Sequence, residues 1–555
     1  MKRQEMWDRL GSEHVDILVI GGGINGAGIA RDAALRGLKV AVVEMRDLAY
    51  GTSSRSSKLV HGGLRYLEQF EFSLVFESVS ERRILMDIAP HLVHPLSFLF
   101  PVYQGSRRNL TMIKAGMWLY EGLSLFRSPK RHRKLRPQDV EHEEPGLKLE
   151  GLKGAPLYYD CSTDDARLTL ESALDAAEKG ATIVTWAKAV SFLKDEKGRV
   201  AGAVVKDAFG GELKEVWAHV VINATGPWTD RTRAMSTEPH MPVLRPTKGV
   251  HIVVDYERLP VHNAVVCFHP DDDRVLFAIP WGERTYLGTT DTDYKGDPGD
   301  VIADLSDVDY LLEAANFYFP ETDLNYDDVI ATWAGLRPLI RPPGDDVSES
   351  EVSREHEILI GEDGLITIAG GKLTTFRRMS SEVVDTAVKM LRLFDQLPEE
   401  PHDPRTGRRP LPGAVNWPAD DDVEGLAQMV MVASDEELDD GTARFLVLHY
   451  GTRALGVAEL VAKNHFLAGR LTADRPEILA QVDWSVNEEL ATTVTDILIQ
   501  RTQIFYRASD QGLSAAPVVA ERMAELLGWD EERKVLNIEQ YEHDVYLSRR
   551  WREEL

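Results

Sequence analysis

Val15-Asp16-Ile17-Leu18-Val19-Ile20 runs without a break into Gly21-Gly22-Gly23-Ile24-Asn25-Gly26. The first six residues read as a fully buried strand, and the next six supply G-x-G-x-x-G where a helix reaching to about Arg36 begins. Gly37 stops that helix and Val40 to Val43 forms a second apolar strand, so the chain opens as a βαβ unit. In this setting each glycine excludes a side chain for its own reason: a tight turn, the approach of a pyrophosphate, and close packing of helix on strand. Gly21, Gly23, Asn25 and Gly26 are therefore candidate cofactor ligands, with the pyrophosphate on the free N–H groups at the helix's positive end. Glu44 closes the second strand eighteen residues after Gly26, where its carboxylate can accept a hydrogen bond from an adenosine ribose hydroxyl. It would repel a 2′-phosphate, which disfavours NADP. A Gly-rich turn with no ligand is the alternative.

A second approach to a dinucleotide lies two hundred residues on. Val220-Val221-Ile222-Asn223-Ala224-Thr225-Gly226 reads as a buried strand ending in small residues, so the backbone at Ala224 and Gly226 can again pass close to a cofactor. FAD enzymes need such a second approach, whereas an NAD dehydrogenase more often keeps its site within one contiguous domain. Further strands are expected at Thr182 to Trp186, Val200 to Lys206, His251 to Val254 and Leu365 to Ala369. Six prolines between Pro398 and Pro418 mark a linker, and helical periodicity follows at Thr442 to Leu448, Val457 to Ala468, Val486 to Gln500 and Pro517 to Leu527.

With 555 residues, two or three domains are expected. A net charge of -27 argues against a nucleic-acid binder with a broad basic surface. Two cysteines, Cys161 and Cys267, allow neither a disulfide framework nor a thiolate-rich metal site, so no metal is expected and a reducing cytoplasm fits. The first apolar run is too short for a signal-peptide core, and no stretch has about 18 uninterrupted apolar residues, so the protein is expected not to cross a membrane.

Gly51-Thr52-Ser53-Ser54-Arg55-Ser56-Ser57-Lys58-Leu59-Val60-His61-Gly62-Gly63-Leu64-Arg65-Tyr66-Leu67-Glu68 resembles the signature that follows the nucleotide fold in FAD-dependent, quinone-linked glycerol-3-phosphate dehydrogenases. Ala224-Thr225-Gly226-Pro227-Trp228, Lys248-Gly249-Val250-His251, Gly288-Thr289-Thr290-Asp291-Thr292-Asp293, Gly335-Leu336-Arg337-Pro338-Leu339 and Gly370-Gly371-Lys372-Leu373-Thr374-Thr375 are similar to family motifs in content and order. The resemblance runs from about residue 10 to 385. It implies an α/β (α+β) fold: a Rossmann-type FAD domain of the D-amino-acid-oxidase type, an antiparallel-sheet substrate domain and a helical C-terminal domain. The expected division is 10–80, 155–235 and 345–395 for FAD, 81–154 and 236–344 for substrate, a linker at 398–418, and 419–555 for the helical domain. It also implies oxidation of sn-glycerol 3-phosphate to dihydroxyacetone phosphate, with electrons passed to membrane quinone. Thr52, Ser53, Ser57, His61, Gly62, Gly371 and Thr374 join the cofactor-binding candidates on this ground.

The chemistry of the residues agrees. A phosphate monoester is nearly a dianion at neutral pH, so an acidic protein must concentrate cations around it, and Arg65, Arg337, Arg354 and Lys372 are the candidates. Tyr66 can donate to the phosphate or pack beside it. Hydride transfer from C2 to flavin N5 needs a base for the C2 hydroxyl, and His251 suits it, with Arg337 and Lys372 as further catalytic candidates; Arg337 can stabilise the developing alkoxide. A structural histidine is the alternative. The strand ending at Gly370-Gly371 and the helix after Thr374 or Thr375 direct a positive end, with Lys372, at the flavin or substrate.

Leu110 to Phe126 is apolar, with Met112, Met117, Trp118 and Leu119, and is followed by Arg127, Lys130, Arg131, Arg133, Lys134 and Arg136. An apolar helix beside six basic residues suits an anchor on anionic lipid at the inner face of the cell membrane, and a core helix with a solvated loop is the alternative. Three rival functions remain. A glycerol-phosphate oxidase using O2 would share every motif, but such oxidases carry an insertion in the substrate half that is not evident between Arg337 and Gly370. An amine or amino-acid oxidase needs one arginine for a carboxylate, not four cations. A non-catalytic flavin sensor would show no turnover. The sequence leaves the oligomeric state open, a homo-oligomer included.

Overall fold

The computed structural model describes residues 1–63, 71–123, 130–236, 241–342 and 355–555. Its first sheet has eight strands and a parallel centre. Val15–Ile20 lies between Val40–Val43 and Leu213–Asn223, with Ile20 opposite both Val43 and Asn223, and Leu213–Asn223 pairs on its other side with Ile366–Gly370. Every residue of Val15–Ile20 is buried, as a parallel strand covered on both faces demands. The helices Ile24–Leu35, Asp165–Glu178 and Phe376–Leu393 pack together on this sheet, and an antiparallel ribbon of Ala187–Lys194 and Val200–Asp207 extends it.

The second sheet has eleven strands and is mostly antiparallel. Leu244–Asp255 is central to the site: Ala331–Ile340 pairs along one side, with His251 opposite Trp333 and Thr247 opposite Arg337, and Arg284–Gly288 pairs along the other. The strand Leu152–Ser162 and the short strand Leu59–Val60 belong to this sheet, although the sequence division gives 59–60 and 155–162 to the FAD-binding part.

The C-terminal region is helical, and buried ion pairs seat it on the first sheet. Arg501 binds Asp47 at 2.5 and 3.0 Å, and Arg167 grips Glu489 through two bonds of 2.8 and 2.6 Å. Residues 398–418, rich in proline, lie against the protein: His402 N–H donates to the Arg36 carbonyl, and Leu411 is fully buried. The continuous helix expected over Val486 to Gln500 is broken. A helix ends at Glu488, Leu490 takes φ 62, and a wide helical turn forms over Asp496–Arg501. The cause is local: Asp496 Oδ2 accepts the N–H groups of Thr492 and Thr493 at 2.8 and 3.0 Å, competing with helical bonds. By length and composition Asp440–Lys463 could span a bilayer, yet it is two helices joined by a short turn at Gly451–Arg453, and half of its most apolar stretch is buried.

Candidate active site

Both sheets open onto one cavity of about 1340 Å³. Its nucleotide end is built by the turn after Val15–Ile20. Gly21 has φ 110, and a Cβ there would lie 2.6 Å from the Ala224 carbonyl oxygen, so the two strand ends meet only because Gly21 has no side chain. A Cβ on Gly26 would collide with the Gly21 carbonyl, which places Gly26 beneath the cavity as a packing residue while Gly21, Gly23 and Asn25 line it. The helix Ile24–Leu35 has no acidic residue in its first turn, so nothing in that turn offsets its positive end. Gly226, at φ 53, lines the cavity, and a Cβ there would meet open space.

Glu44 is buried at the rim and accepts the N–H groups of Gly22 and Arg46 at 2.6 and 2.9 Å. Burial raises its pKa, partly opposed by these bonds. The glycine cradle, the helix end and a buried carboxylate at the end of the second strand fit a dinucleotide.

The loop after the nucleotide fold forms the wall between the two ends. Thr52 Oγ1 donates to the Leu336 carbonyl at 2.6 Å, and Ser53 Oγ accepts the Ile24 N–H at 2.9 Å, tying the loop to the substrate sheet and to the helix start. His61 and Thr374 line the cavity and are joined by their own bonds, His61 N–H to Thr374 Oγ1 at 3.1 Å and Thr374 Oγ1 to the His61 carbonyl at 3.2 Å. Gly62 is a correction to the cofactor-binding set. It lies behind the wall, its N–H donates to Tyr120 Oη and Asp160 Oδ1, and a side chain there would collide with Tyr120 and Val79.

On the second sheet, Gly249 and His251, two residues apart on one strand, line the cavity, and so do Gly335 to Leu339 on the strand paired with it, Arg337 among them. Lys248, of opposite parity, points away and binds Asp304 and Asp307 at 2.6 Å each. Arg337 is held by Asp291 at 2.9 Å and by Thr289 Oγ1 and the Thr290 carbonyl at 3.1 Å, and a Cβ on Gly249 would lie 2.6 Å from its Nη2. His251 is buried and stacks on Trp333 with ring centres 4.6 Å apart. Burial, then the positive charges of Arg337 and Lys58, depress its pKa well below 6.5. Lys372 and Gly371, with φ 91, line the same cavity, where a short turn at Leu373–Thr375 leads into the helix Phe376–Leu393.

The structure therefore brings together His251, Arg337 and Lys372 with Gly21, Gly23, Asn25, Glu44, Thr52, Ser53, Ser57, His61, Ala224, Gly226, Gly371 and Thr374. Arg65, Tyr66 and Arg354 lie outside the described residues. Sequence reasoning left three contributors without a role. Arg55 lines the cavity, Asp291 orients Arg337, and Lys58 forms a buried pair with Asp165 at 2.7 Å next to His251. Asp291 and Lys58 were inside quoted motifs, but nothing in spacing distinguishes a residue that touches ligand from one that braces its neighbour.

Such a site, a dinucleotide cradle opening onto a cationic pocket with a buried histidine, defines an FAD-dependent oxidoreductase, and the FAD dependent oxidoreductase family matches residues 16–377. The C-terminal domain of alpha-glycerophosphate oxidase matches residues 404–534. The chain belongs to the aerobic glycerol-3-phosphate dehydrogenase family, being 38% identical to the Staphylococcus saprophyticus protein of that name over 95% of this chain and 94% of that one. The Staphylococcus aureus protein is 37% identical over 98% and 96%. The glycerol-3-phosphate dehydrogenase of Bacillus halodurans, solved with FAD, superposes with a TM-score of 0.81 at 33% identity, covering 98% of this chain and 97% of that one. L-alpha-glycerophosphate oxidase of Mycoplasma pneumoniae, at 17% identity and a TM-score of 0.53, shares the fold. The D-amino-acid-oxidase-type fold, the helical C-terminal region and the FAD cofactor thus stand as read from the sequence.

Proposed function

We propose that this enzyme oxidises sn-glycerol 3-phosphate to dihydroxyacetone phosphate and passes the electrons to a membrane quinone. The observation that carries this reading is that Arg337, Lys372 and His251 line the same cavity as the nucleotide cradle. The cations match a phosphate dianion and a developing alkoxide, and a histidine kept neutral at working pH is ready to accept the hydroxyl proton. Gly21, Gly23, Asn25, Glu44, Ala224 and Gly226 would hold FAD, which supplies a two-electron acceptor when bound. Asp291 holds the Arg337 fork in register for the substrate.

The surface supports a peripheral place on anionic membrane at its cytoplasmic face. The helix Leu110–Leu123 buries Ile113, Met117 and Tyr120 and exposes Met112, Trp118 and Leu119, and the neighbouring helix Phe72–Ile88 exposes Phe72 and Phe76. Lys130, Arg131, Arg133, Lys134 and Arg136 follow on the surface, while Arg127 lies outside the described residues. Steady-state turnover tests the acceptor. The expected result is rapid oxidation of sn-glycerol 3-phosphate with a soluble quinone analogue and slow oxidation with O2 alone. Equal rates with O2 alone would make the enzyme an oxidase.

A further inference from the structure

His251 is only 2% exposed, and its Nδ1 is buried with no hydrogen-bond partner among the described residues. Its Nε2 meets Ser57 Oγ at 2.9 Å, and Ser57, half-buried, lines the cavity. The hydroxyl of Ser57 is thus the hydrogen-bond partner of the ring and lines the same cavity as His251. Ser57 itself is clamped. Asp165 Oδ2 accepts the N–H and the hydroxyl of Ser56 at 3.1 and 2.7 Å, and Asp165 Oδ1 accepts Lys58 Nζ at 2.7 Å. Trp333 Nε1 donates to the Ser56 carbonyl at 3.2 Å, and Tyr286 Oη donates to the Ser57 carbonyl at 2.9 Å. Trp333 therefore fixes both partners, the imidazole by stacking and the serine segment by a hydrogen bond. Lys58 sits at φ 51, a left-handed conformation that side-chain-bearing residues rarely adopt, and its ammonium is tied into a buried ion pair with Asp165.

We propose that Ser57 is a proton relay between the substrate's C2 hydroxyl and His251, an inference that rests on His251 as the base. The Ser57 O–H bond breaks as its proton moves to Nε2, and the substrate's O–H bond breaks as its proton replaces it on Oγ. The protein is left with an imidazolium, and the substrate oxygen with the electron pair that forms the ketone as the C2 hydrogen departs with its own pair to bound FAD. In the base-ready tautomer Nδ1 carries the ring proton and Nε2 accepts from Ser57. Burial first, and then the positive charges of Arg337 and Lys58, disfavour the charged form of the resting ring.

Ser57→Ala in the FAD-loaded enzyme removes the relay and little volume. Flavin reduction by sn-glycerol 3-phosphate should slow about 100-fold or more, the low end for losing a positioned proton-transfer group, with substrate affinity nearly unchanged. Ser57→Thr, which keeps the hydroxyl, should recover much of the rate. In the oxidised, substrate-free protein the ¹⁵N resonance of His251 Nε2 should move in Ser57→Ala and stay in Ser57→Thr. A full rate, or an unmoved resonance, in Ser57→Ala would overturn the relay. So would a slow Ser57→Ala that has lost FAD and is not rescued by threonine, because Ser57 would then be a cofactor ligand. His251→Asn separates the two claims. If it is slow while Ser57→Ala is fast, the relay alone fails; if His251→Asn is itself fast, the base assignment fails with it.

Discussion

His251 shows how far a single side chain's environment decides its chemistry. Its pKa is depressed first by burial and then by Arg337 and Lys58. The base must be neutral to work, so the rate is lost only as pH falls through that depressed value, and the wild-type enzyme should still reduce its flavin fully below pH 6.5. Lys58→Met removes one cation and leaves Asp165 facing the ring's neighbourhood, and both changes favour the imidazolium. The acid limb of the flavin-reduction rate should therefore move upward in pH, read by anaerobic stopped-flow across the acid range. An unmoved limb would show that Lys58 exerts no field on His251. The sequence pointed to His251 and Arg337 because each sits in a recognisable motif. It was silent on Lys58 and Asp291, whose work is done on other protein groups, across separations of 107 residues to Asp165 and 46 to Arg337.

The elements were the most legible part, for a reason visible in the strand Val15–Ile20. A strand buried on both faces must be apolar throughout, and a helix beginning over a pyrophosphate must start with glycine, so pattern and structure coincide. Gly26 carries the strictest demand. In Gly26→Ala the new methyl group would strike the Gly21 carbonyl, forcing strand and helix start apart. The variant should purify with little FAD, seen as a reduced ratio of flavin to protein absorbance; full flavin content would contradict the packing argument. The break after Glu488 was not legible, because it depends on Asp496 capping the N–H groups of Thr492 and Thr493 and on Glu489 being drawn to a distant arginine. Periodicity cannot register either. Gly62 was misplaced for a related cause: a glycine in a cofactor motif looks the same whether it clears space for FAD or for Tyr120.

Across the whole molecule, a net charge of -27 coexists with a cationic pocket and a basic, apolar-edged surface, so charge is sorted by location. Trp118 is 55% exposed on the helix Leu110–Leu123, beside Met112 and Leu119. Trp118→Glu puts a charge where lipid contact is proposed, at the cost of an edge-on contact with His132, so binding to vesicles containing anionic lipid should fall several-fold while turnover with a soluble quinone analogue is retained. Undiminished sedimentation with such vesicles would move the membrane contact elsewhere. A helical C-terminal region beyond a proline-rich stretch was readable in the sequence, but not how it joins the rest. Arg501–Asp47 and Arg167–Glu489 link residues hundreds of positions apart, and only the folded chain shows that they seat the helical region on the nucleotide-binding sheet.

The most direct test of substrate and cofactor together is anaerobic. The purified protein is mixed with sn-glycerol 3-phosphate, and in parallel with glycerol, while the oxidised-flavin absorbance is followed. Rapid bleaching by the phosphate ester, with none by glycerol at the same concentration, is the predicted result. A flavin that stays oxidised with sn-glycerol 3-phosphate would contradict the assignment of the Arg337, Lys372 and His251 pocket to that substrate.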